Sequence, residues 1–483
     1  MKKYIIRSAY VFMVATTVVS CRKNLLDTQP QTRISEDVAF STPEKILAQV
    51  NNLYSKVQVA GFYGGRHILF NEQRGEEFSQ NDPNSSVGAS IWGQNALSND
   101  NLVNTLWSAA YKAINSANIV IANVRSTSVV ASPLREQYVA EAKFVRAFSY
   151  LALVQTFAQP YAKNNGASPG LPLRLNAETS DGNNDLARST VAEVYAQIIK
   201  DLDDAEKDLP DYQGSAALNT SRAHKATAIA LKTRTYLIKG DYASVVTEAK
   251  KLVPDAAPYQ YTAGSTTHRL ETNIATVFGG AYTGVEALFF IPFNNVDAPD
   301  VQSALGANYL GAVVLSLNPA GIVTNTALSG TASVDARKGL ITTKNSQKVI
   351  TKFTKTGSPY TDYIPAVRYA EVLLNYAEAA AETNDLVKAT ALLNAVRKRS
   401  DASYAFPSTD TDTKAALVTT ILTERRIELL GEGFRTPDLQ RRLQTLPAKS
   451  GAAGSAPAVA STAANYIWPI PSDEIATNKL IQP

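Results

Sequence analysis

A chain of 483 residues, 45% hydrophobic and 19% charged, has apolar material for a large core and lacks the composition of a disordered polymer. Its net charge of +4 includes Lys2, Lys3 and Arg7 of the leader; without them 44 basic residues face 43 acidic ones, so no field of one sign survives, which argues against a nucleic-acid partner. The one cysteine excludes an internal disulfide.

The basic start, with Lys2, Lys3 and Arg7, leads into an apolar stretch over 9–19. That stretch is too short for a bilayer-spanning helix, which needs roughly 20 apolar residues. Residues 1–20 therefore read as a secretory signal peptide. Val18, Val19, Ser20 and Cys21 fit a lipoprotein signal, with a small residue before the cut and a thiol to take the lipid. Each buried methylene contributes about 0.8 kcal/mol, so several acyl chains anchor stably where one is marginal. Residues 21–33 then form a lipidated tether.

Residues 34–253 read as a helical region. Ser41, Pro43 and Glu44 open a helix as cap, first turn and capping-box acid, and Ile46, Val50, Leu53 and Val57 continue it at helical spacing. Over 61–100 the pattern dissolves into Gly, Asn, Ser and Asp, which predicts a long loop, and loops that long usually carry function. Trp107, Tyr111, Ile114, Ala117 and Ile121 mark the next helix, and 136–155 another. Thr190 and Glu193 form a capping box ahead of a stripe of Val194, Ile198, Leu202, Ala205 and Leu209. Helices over 223–239 and 242–252 meet at Gly240 and Asp241.

Residues 254–364 are rich in Thr, Val, Gly and aromatics and predict an irregular insertion with a few strands, 286–293 being a short buried one. Helices resume over 366–383, 386–400 and 413–430, within a C-terminal helical region 365–483. The pairs meeting at Gly240-Asp241 and Asn384-Asp385 share a spacing with alanine-rich faces on each side. That pattern is like a tetratricopeptide pair, which must stack on others to bury its apolar face. The fold class expected is all-α: a tetratricopeptide-like superhelix with an irregular, loop-rich subdomain.

Several ordered motifs give the chain a family resemblance. Cys21 with Leu26, Asp27 and Pro30; Trp107, Tyr111, Ile114 and Asn118; Glu141, Arg146 and Tyr150; Arg368, Glu371, Asn375 and Glu378; Glu424 to Arg435; and Trp468 to Pro471 with Glu474 and Asn478 stand in the order found in the SusD/RagB family of outer-membrane lipoproteins. The chain resembles that family over nearly its whole length. Arg22 and Lys23 stand where many surface-displayed relatives carry acids, which leaves the membrane leaflet open. The resemblance implies a lipoprotein on the cell outer membrane that captures glycan, or less often peptide. It also implies a partner, a SusC-like TonB-dependent outer-membrane barrel that takes up the captured ligand.

No catalytic constellation stands out. His67, His224 and His268 are scattered without metal-ligand spacing, so no metal or other cofactor is expected. Glu424, Glu428 and Glu432 share a helix face but interleave with Arg425, Arg426 and Arg435, a pattern of structural ion pairs more than of paired catalytic acids. Asp181, Asn183 and Asp185 mimic the start of a calcium loop, yet Leu186 and Ala192 occupy the positions that need Gly and Glu. A glycan needs flat apolar faces and nearby amides or charges. Trp92 in the polar stretch is the leading candidate for a stacking ring, with Gln94 and Asn95 as hydrogen-bonding partners. The Trp92–Asn95 spacing resembles that of starch-binding family members. Arg74 and Glu77 would complete the rim, and Tyr282 and Tyr309 flank the insertion strand as further candidates. The expectation is a binding protein and not an enzyme; the rivals are a peptide-binding protein of the same fold and a glycoside hydrolase.

Overall fold

A computed structural model describes residues 36–180, 182 and 184–482. The signal peptide, Cys21 and the tether lie outside the described residues, as do Asp181 and Asn183. No described helix is long and apolar enough to cross a membrane.

Helix α1 (Pro43–Gln58) starts at Thr42, whose hydroxyl accepts the Lys45 N–H, and buries Ile46, Val50, Leu53 and Val57. The cap is one residue later than Ser41. Helix α2 (Arg66–Gln73) and strand β1 (Phe78–Gln80) follow inside the stretch read as loop. Helices α3 (Asn101–Arg125) and α4 (Ser132–Phe157) pack side by side. Ala110, Ala113 and Ala117 on one, and Ala142 and Ala147 on the other, are fully buried and let the backbones approach. Helix α5 (Val191–Asp208) carries the expected capping box of Thr190 and Glu193 and lies on α4.

The two matched pairs form as the spacing predicts. Helices α6 (Lys225–Lys239) and α7 (Tyr242–Ala249) turn at Gly240, with φ of +78°, and Asp241 caps Ser244. Helices α8 (Tyr369–Glu382) and α9 (Leu386–Ser400) turn at Asn384, with φ of +66°, and Asp385 caps Lys388. Gly and Asn are the residues that enter this left-handed region at least cost. Helix α7 packs on α8, which joins one pair to the other, and α10 (Lys414–Glu428) closes over α8 and α9. The molecule is a mostly helical array of stacked pairs, with strands, among the described residues, in two-stranded units.

The insertion holds the hairpin β2 (Gln260–Ala263) and β3 (Thr266–Arg269), then β4 (Ala287–Ile291), β5 (Leu315–Leu317), and the hairpin β6 (Ile341–Lys344) and β7 (Gln347–Ile350). All five residues of β4 are buried, as the run of apolar residues predicts. Its antiparallel partner is β8 (Ile364–Arg368), so 366–368 are strand and the helix begins at Tyr369. Long-range pairing overrides the helical propensity of Ala366 there. Strand β1 pairs with β5, and a last hairpin, β9 (Lys449–Gly451) and β10 (Gly454–Ala456), lies against β1.

A buried histidine pair fastens this insertion to the helices. Thr227 on α6 donates to the Leu288 carbonyl at 2.9 Å, so its oxygen accepts from His224 Nδ1 at 2.7 Å. His224 Nε2 is then an acceptor, and His268 Nε2 on β3 donates to it at 2.9 Å. Protonating His224 at Nε2 would set two N–H groups face to face. Burial holds both rings below the usual 6.5, His268 at about 4, with His268 further lowering His224. A base depressed in the folded state stabilises fully above its unfolded pKa, and that stabilisation is lost as pH falls through the folded value. The expected result is a urea midpoint that drops as pH falls from 6.5 toward 4, with a shallower drop in His268→Gln, which keeps a donor but does not titrate.

Candidate functional site

Ten charged groups form one buried cluster behind the insertion. Arg368 donates to Glu286, Glu428 and Glu432 at 2.7 Å each. Arg337 holds Asp335, Glu424 and Glu428, and Arg397 spans Asp335 and Glu424. Arg399 pairs with Glu286 and Glu428, and Lys352 with Glu432 at 2.6 Å. The neighbouring arginines hold the Glu428 carboxylate well below the usual range against its burial. The helix-face carboxylates Glu424, Glu428 and Glu432 are thus sealed inside and matched charge for charge. Among the described residues no His, Cys, Asp and Glu group is placed to hold a metal, and Asp185 accepts the Lys479 backbone N–H.

The structure corrects the reading of 61–100 as a long loop, since α2 and β1 lie within it and its leading candidate side chains are buried. Trp92 is 2% exposed, and its Nε1 donates to the Phe78 carbonyl at 2.9 Å. No face of that ring is open to a sugar. Arg74 is buried, with Nε on Gln94 Oε1 at 3.1 Å and Nη2 on the Asn465 carbonyl at 2.6 Å; burial pulls it down to about 10. Gln94 returns a bond to the Arg74 carbonyl. Buried Glu77 accepts from Arg426 Nε and from the Ile322 N–H, both at 2.6 Å. Tyr309 is fully buried between Phe78 and Phe353. Only Asn95 and half-buried Tyr282 keep exposure, and they are not brought together with the others. Polar side chains enter an interior when every group finds a partner, and here those partners come from residues far along the chain.

These residues form the underside of an open cleft. Trp92 holds β1 from within, and Lys449 packs its ammonium 5.4 Å above that ring. Lys449 donates to the carbonyls of Gln73 and, at 2.7 Å, Gly75; burial first, then Arg74, pushes its pKa well down. Ser79 turns outward from β1 and donates to the Ser450 carbonyl at 2.9 Å, which ties the β9–β10 hairpin to the floor. Asn81 and Gln347 exchange amide bonds at 3.1 and 2.9 Å, which ties the β6–β7 hairpin to the same floor. The β6–β7 turn places Asn345 and Ser346 at φ of +51° and +63°, the conformation a two-residue hairpin turn needs.

The cleft has a volume of 790 Å³. Ser79, Asn81, Ser316, Asn318, Gln347 and Ser450 supply hydroxyls and amides, while Leu317, Pro319, Val323 and Ala452 supply apolar surface. Lys348 is its one charged side chain, and no carboxylate lines it. None of these residues was singled out from the sequence. The available signal was Asn345-Ser346 between two alternating segments, which marks a hairpin but not a site. A second cleft of 710 Å³ lies between α3 and 471–478. Its Arg174 is matched within the protein: Glu474 takes Trp107 Nε1 at 3.1 Å and Arg174 at 3.3 Å, and Arg174 also holds Glu178.

A family model described as "Starch-binding associating with outer membrane" matches residues 24–237, and the SusD family model matches 325–482. The chain belongs to the SusD family. The SusD-like protein P2 of Formosa agariphila is 26% identical over all of this chain and 99% of its own length. A SusD superfamily protein from Bacteroides fragilis superposes with a TM-score of 0.82 at 28% identity, covering 92% of this chain and all of that one. A laminarin-binding SusD-like protein, 19% identical, shares the fold with a TM-score of 0.69 over 91% of this chain and 98% of its own. SusD-like proteins are carbohydrate-binding and associate with the outer membrane.

Proposed function

We propose that this SusD-family chain binds an oligo- or polysaccharide in the hairpin-rimmed cleft and hands it to a TonB-dependent outer-membrane barrel. The observation that carries the reading is the lining: hydroxyls and amides beside a short apolar strip match the alternating O–H and C–H surface of a sugar. The family's described association with starch and the outer membrane supports it, as does the laminarin binding of one structural neighbour. The chain acts by capture and does not turn its ligand over, since the cleft offers no carboxylate pair to protonate and attack a glycosidic bond. Cys21 carries the lipid that keeps the body at the membrane.

A glycan-array screen followed by hydrogen-exchange footprinting tests this. Protection is expected at 78–81, 346–348 and 450–452. A footprint confined to 104–116 and 471–478 would move the site to the second cleft. Peptide binding without any glycan binding, or sustained release of reducing ends, would overturn the reading. Gln347→Ala removes one amide from the lining together with its two bonds to Asn81, so it should weaken binding about fivefold with a small loss of stability. Mass spectrometry of the membrane-extracted protein should find acyl groups on Cys21.

A further inference from the structure

The charges around the cleft are one-sided. Lys348 is exposed at its wall and forms no ion pair with any described carboxylate. Beneath the floor, Lys449 directly precedes the lining residue Ser450, and its ammonium meets only neutral carbonyls and the Trp92 ring. Arg74 stands close enough to repel Lys449 and likewise bonds only to neutral groups. The nearby acids are already engaged: Glu76 and Glu77 face Arg426 and Arg435. Asp82, beside Asn81, accepts the Asn84 N–H and is not part of the lining. The second cleft differs, since its lining carries acids as well, Glu178, Asp473 and Glu474 beside Lys56, Lys112 and Arg174.

Resting on the glycan-binding reading, we infer that the cleft selects an anionic glycan, one bearing carboxylates or sulfate esters, with Lys348 meeting the acid directly. An unpaired ammonium at the wall gains a partner only when such a ligand arrives. Behind the floor Arg74, bonded only to neutral groups, adds to the positive side of the cleft. A neutral glucan would find the same hydroxyls and amides but would leave Lys348 without a partner.

The test is an array carrying neutral glucans, galactans and mannans beside uronate- and sulfate-bearing polymers, read at low and high salt. Wild type should bind acidic members, and methyl esterification or desulfation of the bound polymer should weaken binding about tenfold. Salt should narrow that difference. Lys348→Glu should lose the preference for acid, while Lys250→Glu, on the remote helix α7–α8 side, should keep it. Binding restricted to neutral polymers and indifferent to Lys348→Glu would overturn the anionic assignment and leave the glycan reading standing. Acid-selective binding that Lys348→Glu does not touch would likewise overturn it. An array with no glycan bound would overturn both.

Discussion

Trp92→Ala should cost about 3–5 kcal/mol of folding stability, the range for removing a large buried aromatic, read as a shifted urea midpoint. The indole lies under β1 with 2% exposure and spends its N–H on the Phe78 carbonyl. Truncation removes the support of the cleft floor, the face on which the Lys449 ammonium rests, and the donor for a buried carbonyl at once. Trp92→Phe restores most of the volume but leaves that carbonyl unpartnered, so it should cost about 1–3 kcal/mol. A Trp92→Ala protein as stable as wild type but unable to bind glycan would contradict this packing role and return the ring to the ligand.

The other large effect belongs to Arg368. It is 1% exposed and is the one cation that bridges Glu286 on the insertion to both Glu428 and Glu432. Arg368→Met keeps the length of the side chain but leaves these acids one charge short inside the protein. Removing one partner of a buried ion pair typically costs about 3–5 kcal/mol, because the remaining charge stays desolvated. Arg399→Met removes contacts to two of the same acids and should cost less. Equilibrium unfolding of the two variants orders them, and equal midpoints would show that the network redistributes its charge freely.

Much of the scaffold was legible locally. The Thr190–Glu193 capping box, the twin turns at Gly240-Asp241 and Asn384-Asp385, and the buried run at 287–291 all follow from neighbours within a few residues. The candidate site was not, because its groups are partnered across the chain. Arg74 looks like a free cation until Asn465 supplies a carbonyl, and Trp92 looks unpacked until β1 and Lys449 cover it. Polar composition over 61–100 signalled hydrogen bonding correctly but could not say whether water or protein provides it. Lys348 gave the opposite problem: nothing in Gln347-Lys348-Val349 distinguishes it from any surface lysine until two hairpins and the β1–β5 pair converge around it.

The bond from Ser79 to the Ser450 carbonyl joins residues 371 positions apart. A chain synthesised from its N-terminus cannot assemble the cleft floor until nearly the last of it has emerged. The body of paired helices can be well advanced by then, so a molecule clipped ahead of the β9–β10 hairpin should keep much of its helical array and lack the proposed binding cleft.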